Sequence, residues 1–209
     1  MKKKIKCIVV GLSALLCIPV YASAVQWDVV DGRLMGASDV LVNGAYYSVE
    51  FMDGACNDLF GGCDEAGDFT FSSASEAMEA SNALLNQVFI DVDGIGNFDT
   101  EPNLINGTSY GMSFGFGGHA VTPYGLWEED PLHVLSMIAG NAPQEEYDSV
   151  YAAYGGEMGF YRYSDLDDYE DDLFWAVWTP ANQVPEPSIL LLLSSGLAGL
   201  AAFRMKFNR

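Results

Sequence analysis

From Val25 onward apolar and polar positions alternate with the period of a β-strand. In "VQWDVVDGRLMGASDVLVNGAYYSVEFMDG" the run Trp27 to Leu34 reads as one strand. Val40 to Val42 and Ala45 to Phe51 read as two more, flanking Asn43-Gly44. That dipeptide between apolar alternations is a strong hairpin signal. Tyr47, Val49 and Phe51 alternate with Tyr46, Ser48 and Glu50, so one face of the later strand is apolar. The period then lengthens. In "SSASEAMEASNALLNQVF" the residues Ala77, Ala80, Leu84, Leu85 and Val88 fall on one helical face, and Ser73 with Glu76 makes a capping box.

Beyond this helix the chain turns rich in glycine and aromatic residues. "TSYGMSFGFGG", "GFYRYS" and "LFWAVWTP" read as strands, and "LHVLSMIAG" as a short helix. The pattern predicts an α+β domain, mainly antiparallel sheet with one principal helix. A C-terminal single transmembrane helix follows it. Its core is the uncharged run Ser188 to Phe203, which would span about 24 Å as a helix, just short of the usual membrane crossing.

The ends of the chain read as targeting segments. Lys2, Lys3, Lys4 and Lys6 precede an apolar stretch, Cys7 to Val20, and Ala22-Ser23-Ala24 is a small-residue cleavage site. Residues 1–24 are therefore expected to be a signal peptide removed by signal peptidase, leaving Val25 first. Arg204, Lys206 and Arg209 follow the distal apolar run and are expected to stay cytoplasmic. The domain boundaries expected are 1–24, 25–183 and 184–209.

This division changes the charge. The full chain carries nine Lys and Arg against 29 Asp and Glu, a net −20. Between residues 25 and 184 only Arg33 and Arg162 face 28 acids, a net charge near −26. Such a surface repels nucleic acid and anionic lipid, so no nucleic-acid partner is expected. It suits cations, or simply keeps the protein soluble. Cys7 and Cys17 leave with the signal peptide. Cys56 and Cys63, an exported close pair, are expected to form one disulfide, whose eight-residue ring contributes about 2.5 kcal/mol on the chain-entropy model.

Little in the middle points to catalysis. His119 and His133 match no zinc spacing, and G-x-S-x-G is absent. His133, between Leu132 and Val134, reads as a half-buried structural residue, and His119 as part of a loop. Carboxylate pairs for glycoside hydrolysis are so numerous among 28 acids that none is singled out. Asn106-Gly107-Thr108 matches a glycosylation acceptor by chance. The sharpest local candidate is "DVDGIGNFDTE", in which Asp91, Asp93 and Asp99 could supply oxygen ligands to Ca²⁺. It resembles the first nine positions of an EF-hand loop, with Gly96 sixth and Asn97 seventh, but Ile95 takes a ligand place and Pro102 stands where the bidentate Glu belongs. The alternative is an Asp- and Gly-rich turn. "SDLDDYEDD" reads as a solvated acidic loop.

Pro185-Glu186-Pro187, the apolar run and Arg204, in that order, resemble a PEP-CTERM sorting signal. The resemblance implies export across the inner membrane of a Gram-negative bacterium, transient anchoring, and processing near the triplet by an exosortase. It implies a place at the cell surface or in an exopolysaccharide or biofilm matrix. "VLVNGAYYSVEFMDGAC", "DFTFSSASEAMEASNALLNQVF" and "TPYGLW" are similar to exported proteins of the same class and bring no active site with them. The expectation is a non-enzymatic surface or matrix protein that requires no cofactor. The alternative is a Ca²⁺-dependent carbohydrate- or matrix-binding module, and a secreted hydrolase is third.

Overall fold

The computed structural model describes residues 24–108, 117–153, 160–164, 166 and 173–181. In chain order the elements are β1 (Gln26–Val30), β2 (Arg33–Val42), β3 (Ala45–Met52), α1 (Cys56–Leu59) and α2 (Ala74–Ala83). There follow β4 (Asp91–Val92), β5 (Gly96–Asn97), β6 (His119–Leu126), β7 (His133–Gly140), β8 (Ser149–Ala153), β9 (Phe160–Tyr161) and β10 (Leu173–Pro180). The architecture is mostly sheet with one main helix, an α+β class.

The N-terminal strands form a meander because two tight turns reverse it. Asn43-Gly44 turns with both residues at positive φ, 49° and 82°, as the sequence predicts. Asp31-Gly32 does the same at 51° and 82°. The expected single strand Trp27 to Leu34 is therefore split into β1 and the start of β2. Asp-Gly carries the same left-handed preference as Asn-Gly, and a continuous apolar count across it overlooks the turn.

The main sheet runs β1-β2-β3-β10-β6-β7-β8, with β9 paired to β7. Two antiparallel meanders, β1-β2-β3 and β6-β7-β8, are joined by β10, which is antiparallel to β3 and parallel to β6. The last described strand thus occupies the centre. Its side chains alternate between two cores. Phe174, Ala176 and Trp178 enter the core beneath α2 with Phe51, Phe89 and Leu84. Leu173 and Trp175 enter a second core with Phe60, Phe69 and the cysteines. A central strand covered on both faces reads as a continuous apolar run, which is why "LFWAVWTP" lacks clean alternation.

The same physics corrects "LHVLSMIAG". The segment is strand β7, not a helix. Val134 and Ile138 face the second core while Met137 and Ala139 face the first. A mostly apolar run fits a doubly covered strand as well as a helix, and periodicity alone does not separate them. "GFYRYS" contributes only the short β9. "TSYGMSFGFGG" lies largely outside the described residues.

The expected helix forms. Ser73 caps it by accepting from the Glu76 N–H at 3.3 Å, and the Glu76 carboxylate answers to the Ser72 N–H at 3.1 Å, one residue earlier than an ideal capping box. Ala77, Ala80, Leu84 and Val88 are fully buried. The helix ends in a π-helical turn over Leu84–Val88. There the Trp27 indole donates to the Val88 carbonyl, tying β1 to the helix end. The Gln87 amide both donates to and accepts from the Leu41 backbone, at 2.9 and 3.0 Å. Leu41 lies past Ser38, where β1 begins its pairing, so the side chain satisfies an otherwise open edge of β2.

The expected disulfide is present. Cys56 and Cys63 are joined, both fully buried, with Cα atoms 5.8 Å apart. The loop they close covers the sheet face opposite α2, with Phe60 edge-on to Trp175 at 5.5 Å and to Phe69 at 5.7 Å. No helix among the described residues is long and apolar enough to cross a membrane. The segment Ser188 to Phe203 expected to do so lies outside them, as do residues 1–23.

The registers define two ends of the sheet. At one lie the Asn43-Gly44 turn, the 127–132 connection and the exit of β10, where the Ala181 N–H donates to the Tyr46 carbonyl. At the other lie the Asp31-Gly32 turn, His119, Gly140 and Ser149, mutually adjacent in the pairing of β6, β7 and β8.

Candidate functional site

The far end of the sheet, away from the exit of β10, holds a cavity of about 300 Å³. It is lined by Gly117, His119, Gly140, Asn141, Ala142, Tyr147, Ser149 and Tyr151. Its floor follows from three neighbouring strand ends. His119 opens β6 and is 8% exposed, so it is a strand residue rather than part of a loop. Gly140 stands opposite it in the ladder, and a Cβ there would lie 3.3 Å from the imidazole. The glycine leaves room for the ring. Tyr151 meets His119 edge to face at 6.4 Å. Asn141 is fully buried, and its amide donates to the Phe98 carbonyl at 2.7 Å, pinning the loop after β5 to the cavity wall. Tyr147 is 54% exposed at the rim. Among the described residues the polar lining is an imidazole, two phenols, a hydroxyl and an amide, with no carboxylate. Such a set can hydrogen-bond and stack on a ligand.

The Asp91 loop folds as a small β4–β5 hairpin, with Gly94 at φ 78° in the turn. The Asp91 carboxylate accepts from the Asp99 and Thr100 N–H groups, each at 3.1 Å, and from the Thr100 hydroxyl at 2.9 Å. It closes the loop on itself. Asp99 instead lines a neighbouring hollow of about 290 Å³ with Asn82, Asn86, Phe89 and Asp148. Asp93 joins neither arrangement. Among the described residues no three acidic, histidine or cysteine side chains are grouped to hold a metal ion. The acidic run at 164–172 lies mostly outside the described residues.

Other candidates resolve structurally. His133 is buried, with Nδ1 3.0 Å from Asp130 Oδ2. The Asn106 amide donates to the Phe51 carbonyl at 2.8 Å, so the acceptor-like triplet is engaged in the fold. Both arginines of residues 25–184 serve backbone carbonyls. Arg33 donates to Ile105 and Thr108, each at 2.9 Å, and Arg162 to Cys63 at 3.4 Å while lying 4.7 Å over the Tyr163 ring. Ala24 is the first described residue, its carbonyl accepting from the Gln26 amide at 2.9 Å. Ala22, Pro185, Glu186, Pro187 and Arg204 lie outside the described residues.

Sequence reasoning did not foresee the cavity. Its residues come from 117–119, 140–142 and 147–151, and only the pairing of β6, β7 and β8 brings them together. "GGH" was the available signal: two small residues before a histidine leave space beside it.

Residues 183–206 match the model of the PEP-CTERM protein-sorting motif, three residues after β10 ends. No significant match was found among curated proteins or solved structures.

Proposed function

For a PEP-CTERM sorting-domain protein, exported, transiently membrane-anchored through its C-terminal region and processed by exosortase, we propose a non-enzymatic role at the cell surface or in the exopolysaccharide and biofilm matrix. The observation that carries this reading is the position of the sorting motif. It starts immediately after the central strand, so processing near Pro185 would release the sheet with β10 in place. The far-end cavity, lined by aromatic rings and polar side chains, supports binding of a ligand. The test is fractionation of the source bacterium with and without its exosortase, with the chain's mass followed by mass spectrometry. The expected result is a shortened chain in the surface or matrix fraction only when exosortase is present. A chain still carrying Arg209 in both strains would remove the sorting basis. A shortened chain confined to the periplasm would remove the matrix role.

A second reading is a Ca²⁺-dependent carbohydrate- or matrix-binding module. It is favoured by the placement of Asp99 and Asp148 beside two asparagine amides around one hollow, an oxygen-rich set of the kind Ca²⁺ takes. Asp91 adds no support, because its carboxylate already serves the loop backbone.

A further inference from the structure

The exit of the chain from the sheet limits which surface can face the machinery that removes the tail. β10 ends at Pro180, held in register opposite Tyr47, and the Ala181 N–H still donates to Tyr46 at 2.9 Å. Pro185 is five residues beyond Pro180. Five residues reach at most about 18 Å even when fully extended. The eight residues of β10 alone rise about 26 Å along the sheet. While the tail is held, the domain is therefore taller than its tether is long. The end at which β10 finishes therefore stands within about 18 Å of whatever binds the triplet.

We propose that this end of the sheet, formed by Leu41, the Asn43-Gly44 turn and the 127–132 connection, is the surface that docks on the tail-processing enzyme at the outer face of the membrane. The proposal rests on the sorting reading above and adds to it a named contact surface. Leu41 and Leu132 project there, 43% and 39% exposed. The connection that carries Leu132 is braced. Its Leu132 N–H donates to the Asp130 carboxylate at 3.2 Å, the His133 N–H to the Asp130 carbonyl at 3.0 Å, and the Trp127 N–H to the His133 carbonyl at 3.0 Å. Trp127 stands edge-on to His133 at 5.9 Å. A held loop presents its apolar residue at little ordering cost on contact. Glu128, Glu129 and Asp130 precede that residue. Anionic headgroups repel such a loop, so a protein surface suits this end better than bare lipid. The geometry has a second consequence. The cavity of His119, Tyr147 and Tyr151 opens at the opposite end, pointing away from the membrane while the protein is still tethered.

The experiment uses the full chain in its source bacterium. A small folded domain is inserted in the Asn43-Gly44 turn or, as control, in the Asp31-Gly32 turn at the other end. Each is made with and without about 20 Gly-Ser residues added after Ala181, a tether with a root-mean-square reach of about 25 Å. The rate of tail removal is followed by mass. The Asn43-Gly44 insertion is expected to slow removal about tenfold or more, and the added tether to restore it, while the Asp31-Gly32 insertion leaves it unchanged. Leu41→Glu with Leu132→Glu, at native length, is expected to slow removal several-fold in a chain whose melting is unchanged. Removal at the normal rate with the Asn43-Gly44 insertion overturns the proposal. So does a defect that the longer tether fails to relieve, since that defect would lie in the fold. If the unaltered chain keeps its tail in the presence of exosortase, the sorting reading fails instead, and the two failures are distinct.

Discussion

Glu76 shows how one charged side chain is put to use in this acidic domain. Its carboxylate accepts from the Ser72 N–H at 3.1 Å, and the hydroxyls of Ser73 and Ser72 lie within 3.1 and 3.3 Å. These hydrogen bonds, the Ser72 N–H first, hold its pKa below the ordinary glutamate value. A negative charge in the first helical turn is also favoured by the helix dipole. A depressed folded-state pKa contributes stability that is present above the unfolded value and lost as the pH falls through the folded one. Glu76→Gln is therefore expected to lower the melting temperature at pH 7, with the gap closing as the pH falls below the ordinary glutamate value. Paired melts of the two proteins across that range are the check. A gap that stays constant into acid would mean that the loss comes from side-chain shape and not from charge.

At the level of elements, the disulfide loop is the part of the fold that depends most on a covalent link. α1 has four residues and no side-chain cap. A helix that short does not hold itself together in water. What fixes it is the Cys56–Cys63 bond, the burial of both sulfurs and the ring contacts of Phe60 with Phe69 and Trp175. Cys56→Ser with Cys63→Ser is expected to cost about 2.5 kcal/mol in loop entropy, with more from lost burial. That corresponds to a fall of about 5–10 °C in melting temperature, and reductant added to the unaltered protein should reproduce it. An unchanged melt on reduction would show that packing alone holds the loop. This bond was legible from spacing and compartment, as were the Asn43-Gly44 hairpin and the capped helix, because each is decided by neighbours in sequence. The helix reading of 132–140 failed for the opposite reason. β7 is covered by α2 on one side and by the disulfide loop on the other, and neither cover is encoded in its own residues. The cavity was illegible for the same cause, since the strand ends bearing His119, Asn141 and Tyr151 meet only through sheet pairing.

For the whole molecule the uncompensated charge is the dominant long-range force. Residues 25 to 184 carry a net charge near −26, and both of their arginines bind backbone carbonyls. Exposed carboxylates therefore repel one another across the surface with few cations to offset them, and compactness costs free energy. Salt shortens the reach of that repulsion from about 10 Å at 0.1 M to about 3 Å at 1 M. Raising NaCl at pH 7 is thus expected to raise the melting temperature. The gain should shrink as the pH falls to about 4, the ordinary carboxylate range, where protonation has already removed much of the charge. This dependence runs opposite to that of Glu76, whose contribution is lost in acid, so the two effects separate on one pH series. The same series decides between general and specific cation effects. Ca²⁺ and Mg²⁺ at equal ionic strength should stabilise equally if they act on the summed field. A larger shift with Ca²⁺, abolished by EDTA and weakened by Asp99→Asn, would instead mark a bound ion. Asp91→Asn is the complementary control. It leaves one side-chain oxygen in place of two at the loop that the carboxylate closes, so its loss of stability should be the same with either cation.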